Sequence, residues 1–391
     1  MEIMELTGLD WRYAFTAISL LIFIAVQTYA SKINQGKHFS WVSILTTGFI
    51  LAGLWLPTSL GKTLALDAAA LVLAWFVWQQ DRQAGKLFLL VVVTGSVLAA
   101  VGMTIGGLFA GEAAAAPKGT MLKVVTSLIL IGFTLKLAVI PFSFWLAPLA
   151  EKSTAMTAVL VISLLDMAEL GELANLRAEI PWLFSSVQWI WIALALLSMF
   201  GGALLALSQN NIRRMLAFST IDDVGYLLLG LAAGTSGGVL GTLIGALSHS
   251  LCKFLLFGAV GVAEKDLKHP LTLDDRGQSS RHPVAGAAFI AGAFGMIGIP
   301  PLMGFLGRWR LYFAGIEAGG LLLGIAMALA TALALLYYVR VIHKVWLGGS
   351  EQENKKRKPS LSMIDGLFIL MIILMIVACL FPTILPGIGG R

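Results

Sequence analysis

The chain has 391 residues, 58% of them hydrophobic and 12% charged, with a mean hydropathy of +0.88. A charged share about half that of soluble proteins excludes a soluble globular domain and a disordered chain, and at roughly 20 apolar residues per crossing there is room for about a dozen bilayer-spanning helices and little else. The net charge of +6, from 27 basic and 21 acidic residues, suits lipid headgroups and cytoplasmic loops rather than nucleic acid.

Residues 1–10 are acidic where a secretory leader would be basic, so no cleavable signal is expected. Candidate spans follow at 13–30, 41–60, 63–80 and 87–110, the last leading into a Gly/Ala-rich turn at 111–119. Segment 121–150 is too long for one plain span and carries Pro141 in its middle. A weaker span at 154–173 contains three acids. Spans at 189–207, 215–233 and 239–263 come next. Segment 285–315 is again long and is interrupted by Pro300 and Pro301, and spans at 319–346 and 364–384 close the chain.

The two proline breaks lie about 160 residues apart, each as the third member of a set of five helices. Interrupted helices in corresponding halves point to an inverted repeat; ordinary proline kinks are the alternative. The expected fold is an all-α polytopic membrane protein of about 12 transmembrane helices, in two inverted five-helix repeats with two proline-broken helices. Its expected parts are N-terminal helices at 1–60, a first repeat at 61–207, a second at 208–347, and a polar loop with a C-terminal helix at 348–391.

Polar connections are short, the longest being 264–282 and 348–360, and neither is large enough for a catalytic domain. The second holds KKRK at 355–358, which suggests a cytoplasmic loop. There is no Walker loop, dinucleotide fingerprint or HExxH. Cys252 and Cys379 are too few to hold an iron–sulfur cluster and read as packed small hydrophobes. No cofactor and no metal site is expected, so any chemistry has to come from groups inside the membrane.

A charge within the bilayer costs about 3 kcal/mol or more, so each one marks a candidate site. Asp67 lies near the start of the third span, and Lys136 lies shortly before Pro141 in GFTLKLAVIPFSFWL. Asp166, Glu169 and Glu172 recur every third residue and share a helix face; Asp166 is expected deepest and Glu172 at the interface. Asp222 and Asp223 in STIDDVGYLLLG face either a polar channel or a loop. His249 and Lys253, four apart, share a face and suit a proton relay. Arg308 and Arg310 follow the second break, while Arg340, His343 and Lys344 end a span, where snorkelling accounts for them. Burial favours a neutral Lys136 and a neighbouring carboxylate favours the ammonium, so with a movable partner this lysine is a proton-binding switch. A static ion pair between helices is the alternative, and Asp67 is the candidate partner in either case.

The run GFTLKLAVIPFSFWLAPLAEKSTAMTAVL resembles the central motif of the antiporter-like, proton-conducting membrane subunits of respiratory complex I. Relatives of those subunits occur in membrane-bound hydrogenases, Mrp cation/proton antiporters and inorganic-carbon uptake complexes. NNIRRMLAFSTIDDVGYLLLG, ALSHSLCKFLLFGAVGVAE and GIPPLMGFLGRWRLYFAG agree in the same order, and LLYYVRVIHKVWLG fits the penultimate span. The resemblance covers roughly residue 6 to the C-terminus. It implies that Lys136 is the essential lysine of the first broken helix and that Asp67 stands where a paired glutamate is usual. His249 and Lys253 match the central histidine and lysine, and Arg308 stands where lysine or glutamate follows the second break. In the family such residues form a polar axis halfway through the membrane.

The sequence departs from that pattern at three positions. Asp166 stands where a bridging lysine is common, and Val161 where many members have histidine. Arg308 puts an essentially permanent charge where the family has a proton carrier. The family's first one or two helices and a long lateral C-terminal helix are expected to be missing.

The resemblance implies a proton-translocating, antiporter-like subunit of a redox-driven, complex I-like or hydrogenase-like complex, with no catalytic site of its own. Two other readings stay open. One is an Mrp-type cation/proton antiporter or inorganic-carbon uptake module. The other is a non-conducting structural subunit, which Arg308 and Asp166 favour. Expected partners are other membrane subunits, the lipid bilayer, and protons or sodium, with no nucleic acid. The expected location is the inner (cytoplasmic) membrane of a bacterium or archaeon. Lys136 and Asp67 are expected within ion-pair reach, His249 and Lys253 in one watered cavity, and Asp166 between the two lysines.

Overall fold

The computed structural model describes residues 11–110, 119–349 and 362–381, apart from the side chains of 107–110. The acidic stretch at 1–10, most of the turn at 111–119 and the KKRK loop lie outside the described residues. Apolar runs with no water to bond the backbone must satisfy every N–H and C=O internally, and the described residues are accordingly helical, with one isolated bridge between Asn211 and Thr272.

The helices in chain order are α1 (Trp11–Ala30), α2 (Phe39–Trp55), α3 (Ser59–Gln80), α4 (Arg82–Ala110) and α5 (Thr120–Lys136). Beyond the first break come α6 (Leu146–Lys152), α7 (Ala155–Val159), a π-helical turn (Leu160–Leu165) and α8 (Asp166–Glu179). Then follow α9 (Gln188–Leu207), α10 (Ile212–Ala233), α11 (Ser236–Leu267), α12 (Pro283–Ile297), α13 (Gly304–Val341) and α14 (Met363–Leu380). Side chains of Thr58, Asn211 and Thr235 cap α3, α10 and α11 by accepting from the amides of Gly61, Arg214 and Gly238. Ser362 and Asp365 form a capping box on α14.

Among the described residues eight helices are long and apolar enough to cross a bilayer, and α2 and α12 are shorter apolar ones. Helix α13 is two helices joined at Gly319 and Gly320; Gly320 has φ 66°, which glycine adopts without strain. Taking α5 with α6, α7 with α8, and α12 with the first part of α13 as single passes, the described residues make twelve crossings. The protein is thus an all-α polytopic membrane protein with two broken helices, as its sequence predicts. Helices α10 and α11 are almost wholly enclosed, whereas α13 and α14 present most of their surface outward. Close approach in the middle depends on glycine: a Cβ on Gly202 of α9 would lie 2.5 Å from the Asp222 amide nitrogen of α10.

Both proline breaks interrupt helices where expected. The first break follows Lys136, and the freed backbone groups find partners: the Trp145 indole donates to the Leu135 carbonyl at 3.0 Å, and the Ile140 amide donates to Ser198 Oγ at 3.0 Å. The second break, with Pro300 and Pro301, separates α12 from α13. Several boundaries differ from expectation by a few residues, the furthest at the end of α8. The helix predicted to end at 173 continues to Glu179. Its last turns are polar, so falling hydropathy gave too early an end.

Candidate functional site

Several ionisable groups lie buried in the bundle, Lys136 and Asp166 among them at helix ends. Lys136 is the last residue of α5, where its ammonium complements the negative end of the helix dipole. Its Nζ lies 2.8 Å from Asp67 Oδ1 on α3 and 2.7 Å from Glu169 Oε1 on α8, with all three side chains buried. The expected pairing with Asp67 is therefore present, and Glu169 is a second, equally close partner that the sequence ranked lower. One ammonium faces two carboxylates. The fully ionised trio carries one surplus negative charge, and one added proton makes it neutral.

Asp166 opens α8 directly after the π turn and is buried. The ionised groups acting on it are Glu169 on its own helix and Lys253 on α11. One member of the trio and the second lysine thus both act on it. Glu172 is also buried, at 4% exposure, and not interfacial as expected. The continuation of α8 to Glu179 carries Glu172 two turns inside the helix end.

In the other half, Asp223 of α10 accepts from two directions: Arg308 Nη2 at 2.7 Å and His249 Nδ1 at 2.8 Å. Arg308 also donates to the Met296 carbonyl at 2.5 Å and lies 3.7 Å from the centroid of the Tyr226 ring. The other ring nitrogen of His249, Nε2, faces the Ile162 carbonyl at 3.1 Å. The Ile162 carbonyl suits a hydrogen on Nε2 and the Asp223 carboxylate suits one on Nδ1, so a proton added to the ring satisfies both contacts. The Ile162 carbonyl lies in the π turn, a feature that loosens the regular helix ladder. Next to it Ser163 and Ser250 bond each other's carbonyls at 2.9 and 2.7 Å, joining the π turn to α11.

His249 and Lys253, expected in one watered cavity, bond to different partners. A small polar cavity, of the order of a single water, is lined by Asp223, His249 and Arg308 among others, but not by Lys253. Lys253 is fully buried and donates instead to the Leu216 carbonyl at 3.0 Å and to Ser219 Oγ at 2.8 Å. Asp222 and Asp223 have different hydrogen-bond partners: Asp222 accepts from the Tyr337 hydroxyl at 2.9 Å. Neither aspartate is in a loop.

The sequence reading passed over Lys62, which is buried at the start of α3 and lies 3.7 Å from Glu179. Tyr226, Ser219 and Tyr337 were also missed; hydroxyl groups in apolar helices give no pattern that separates them from packing. Among the described residues no His/Cys/Asp/Glu group is arranged to hold a metal ion. The arrangement is a set of buried ionisable groups: Asp67, Lys136, Glu169 and Asp166 on one side, Lys253, His249, Asp223 and Asp222 on the other. Arg308 is a fixed positive charge beside Asp223.

Residues 62–334 match a family described as NADH:quinone oxidoreductase/Mrp antiporter, TM. Among curated relatives, NADH-quinone oxidoreductase subunit N of Trichlorobacter lovleyi is 33% identical over 239 residues, covering 60% of this chain and 48% of that protein. The chain spans about half the length of the curated relatives it matches. A chain of respiratory complex I from Thermus thermophilus superposes with a TM-score of 0.87 at 19% identity, covering 97% of this chain and 83% of that one. A chain of the Mrp complex from Dietzia sp. superposes with a TM-score of 0.84 at 19% identity, covering 98% and 83% respectively. At such identities the superpositions establish a shared fold.

Proposed function

Because this chain belongs to the NADH:quinone oxidoreductase/Mrp antiporter transmembrane family, we propose that it is an antiporter-like subunit that moves protons within a larger membrane complex of the complex I type. The observation that carries this reading is the placement of Lys136 at a helix break, between Asp67 and Glu169. A proton arriving at either acid leaves the ammonium paired with the other. Lys136 can then pass a proton to Glu169, which hands it to Asp166 through one water. A protonated Asp166 no longer stabilises the ammonium of Lys253, so Lys253 gives up its proton more easily. Ser219, which accepts from Lys253, and the His249–Asp223 pair continue the line. Arg308 keeps its charge and acts by biasing Asp223 rather than by carrying protons.

The redox chemistry or ion gradient that drives these steps belongs to partner subunits. Sodium in place of protons is the second reading, favoured by the Mrp part of the family description. The membrane is the cytoplasmic membrane of a bacterium or archaeon. The first repeat occupies 61–207. The second runs from 208 through α14, because 208–347 alone holds four crossings.

The reading is tested by purifying the tagged chain from native membranes in mild detergent and identifying what comes with it. Membrane partners together with flavin- or iron–sulfur-bearing chains are the expected result. Other antiporter subunits alone would favour gradient-driven exchange. A chain that purifies without partners would overturn the subunit assignment.

A further inference from the structure

Helix α8 continues its acidic face beyond the trio. Glu169, Glu172 and Asn175 follow at three-residue steps, and Glu179 closes the helix. Each three-residue step rises about 4.5 Å, which one water can bridge between carboxylates. At the far end Glu179 has 44% side-chain exposure; it accepts from Ser59 Oγ at 2.5 Å and from Asn175 at 2.9 Å. Lys62, one turn into α3, lies 3.7 Å from Glu179 and is 6% exposed.

Glu172 sits between this pair and the trio. It is 4% exposed, and its Oε1 has no hydrogen-bond partner. It lines a cavity with Lys62, beside Trp11 and Leu66. The charged groups acting on it are Lys62 from α3, Glu179 and Glu169 from its own helix, and Lys136 from α5. Helices α1 and α2 close the cavity with Trp11, Gly53 and Leu54, none of them charged. An interfacial ion pair between Lys62 and Glu179 would explain those two residues alone. It leaves a buried carboxylate oxygen unpaired beside a cavity, a costly arrangement for a purely structural acid.

We propose that Lys62, Glu172 and Glu179 form a proton access branch, joining the Asp67–Lys136–Glu169 trio to the bundle end where α3 begins and α8 finishes. The proposal rests on the proton-path reading above and adds to it a mouth and a gating cation. Protons pass between Glu179 at the surface, Glu172 and Glu169. Lys62 swings between Glu179 and Glu172, holding whichever acid is ionised. Every step moves one proton between carboxylates through water, and no other reactant is needed.

The test uses the full chain in its native complex, in sealed vesicles. Glu172→Gln and Lys62→Met should each slow proton translocation at least about tenfold with the complex intact, while Glu172→Asp keeps most of it. In a Cys252→Ala/Cys379→Ala background, Glu172→Cys should react with a small water-soluble methanethiosulfonate from one side of the membrane only. Wild-type translocation in Glu172→Gln and Lys62→Met, with Lys136→Met inactive, overturns the branch and leaves the main path standing. Wild-type rates in all three overturn the path itself. If Lys62→Met fails to assemble, Glu172→Gln and the labelling decide: reaction no faster than at Leu170→Cys, in the dry core of the same helix, overturns the branch.

Discussion

Arg308 and Asp223 offer the sharpest energetic test of the second half. Their side chains are 9% and 10% exposed, and the guanidinium donates to the carboxylate at 2.7 Å. Asp223→Asn keeps the shape and removes the charge, so Arg308 is left with the Met296 carbonyl and the Tyr226 ring. Orphaning one member of a buried pair costs about 3–5 kcal/mol, and the Tyr226 ring and Met296 carbonyl hold Arg308 before and after the change, so they offset none of it. Asp223→Asn should therefore destabilise by about 3–5 kcal/mol, or several degrees in melting temperature. Arg308→Met should cost a similar amount, because Asp223 then keeps only His249. The double variant removes both buried charges together, so it should fall short of the summed single effects by about 2 kcal/mol. Thermal melting of the purified complex, followed by tryptophan fluorescence, reads all four species. Strictly additive losses would refute the reasoning, since they would mean that the two residues are not one energetic unit.

Two further outcomes follow from the geometry. Asp166→Asn, nearly isosteric, should leave assembly intact and lower proton translocation at least about tenfold in a vesicle pH assay; an unchanged rate removes Asp166 from the line. Gly202→Val should force α9 off α10, because even a Cβ meets the Asp222 backbone at 2.5 Å, and overpacking of this kind costs about 1–3 kcal/mol. A melting temperature equal to wild type would show that the contact is looser than described.

The crossings were legible because hydropathy is the quantity that a bilayer selects, and the breaks because proline cannot continue the backbone ladder. Charges were legible as sites because lipid tolerates so few. Their partners were less so. Three-residue spacing placed Asp166, Glu169 and Glu172 on one face but could not tell which meets Lys136; that depends on where α5 ends against α8. The i, i+4 rule put His249 and Lys253 together, yet positions four apart differ by about 40° around a helix. That angle lets His249 reach the Ile162 carbonyl of the π turn and Asp223, while Lys253 meets α10 one turn away at Ser219. Lys62 stayed hidden because a lysine at a span start reads as snorkelling, and only the packing of α1, α2 and α8 around it shows its burial. The resemblance added family roles to Lys136, His249 and Lys253, which their charge had already marked, but gave neither Glu169 as a direct contact nor the acidic face that continues past it.

The central claim is that Lys136 is a proton-exchanging group and not a static tie between α3, α5 and α8. Lys136→Met removes the ammonium and leaves Asp67 and Glu169 free to hold protons facing each other, a neutral arrangement the bundle can accommodate. The decisive measurement is proton translocation by the assembled complex in sealed vesicles, with complex integrity checked on native gels. The account predicts an intact complex whose translocation through this subunit falls to background. An intact Lys136→Met complex that translocates protons at the wild-type rate would contradict it.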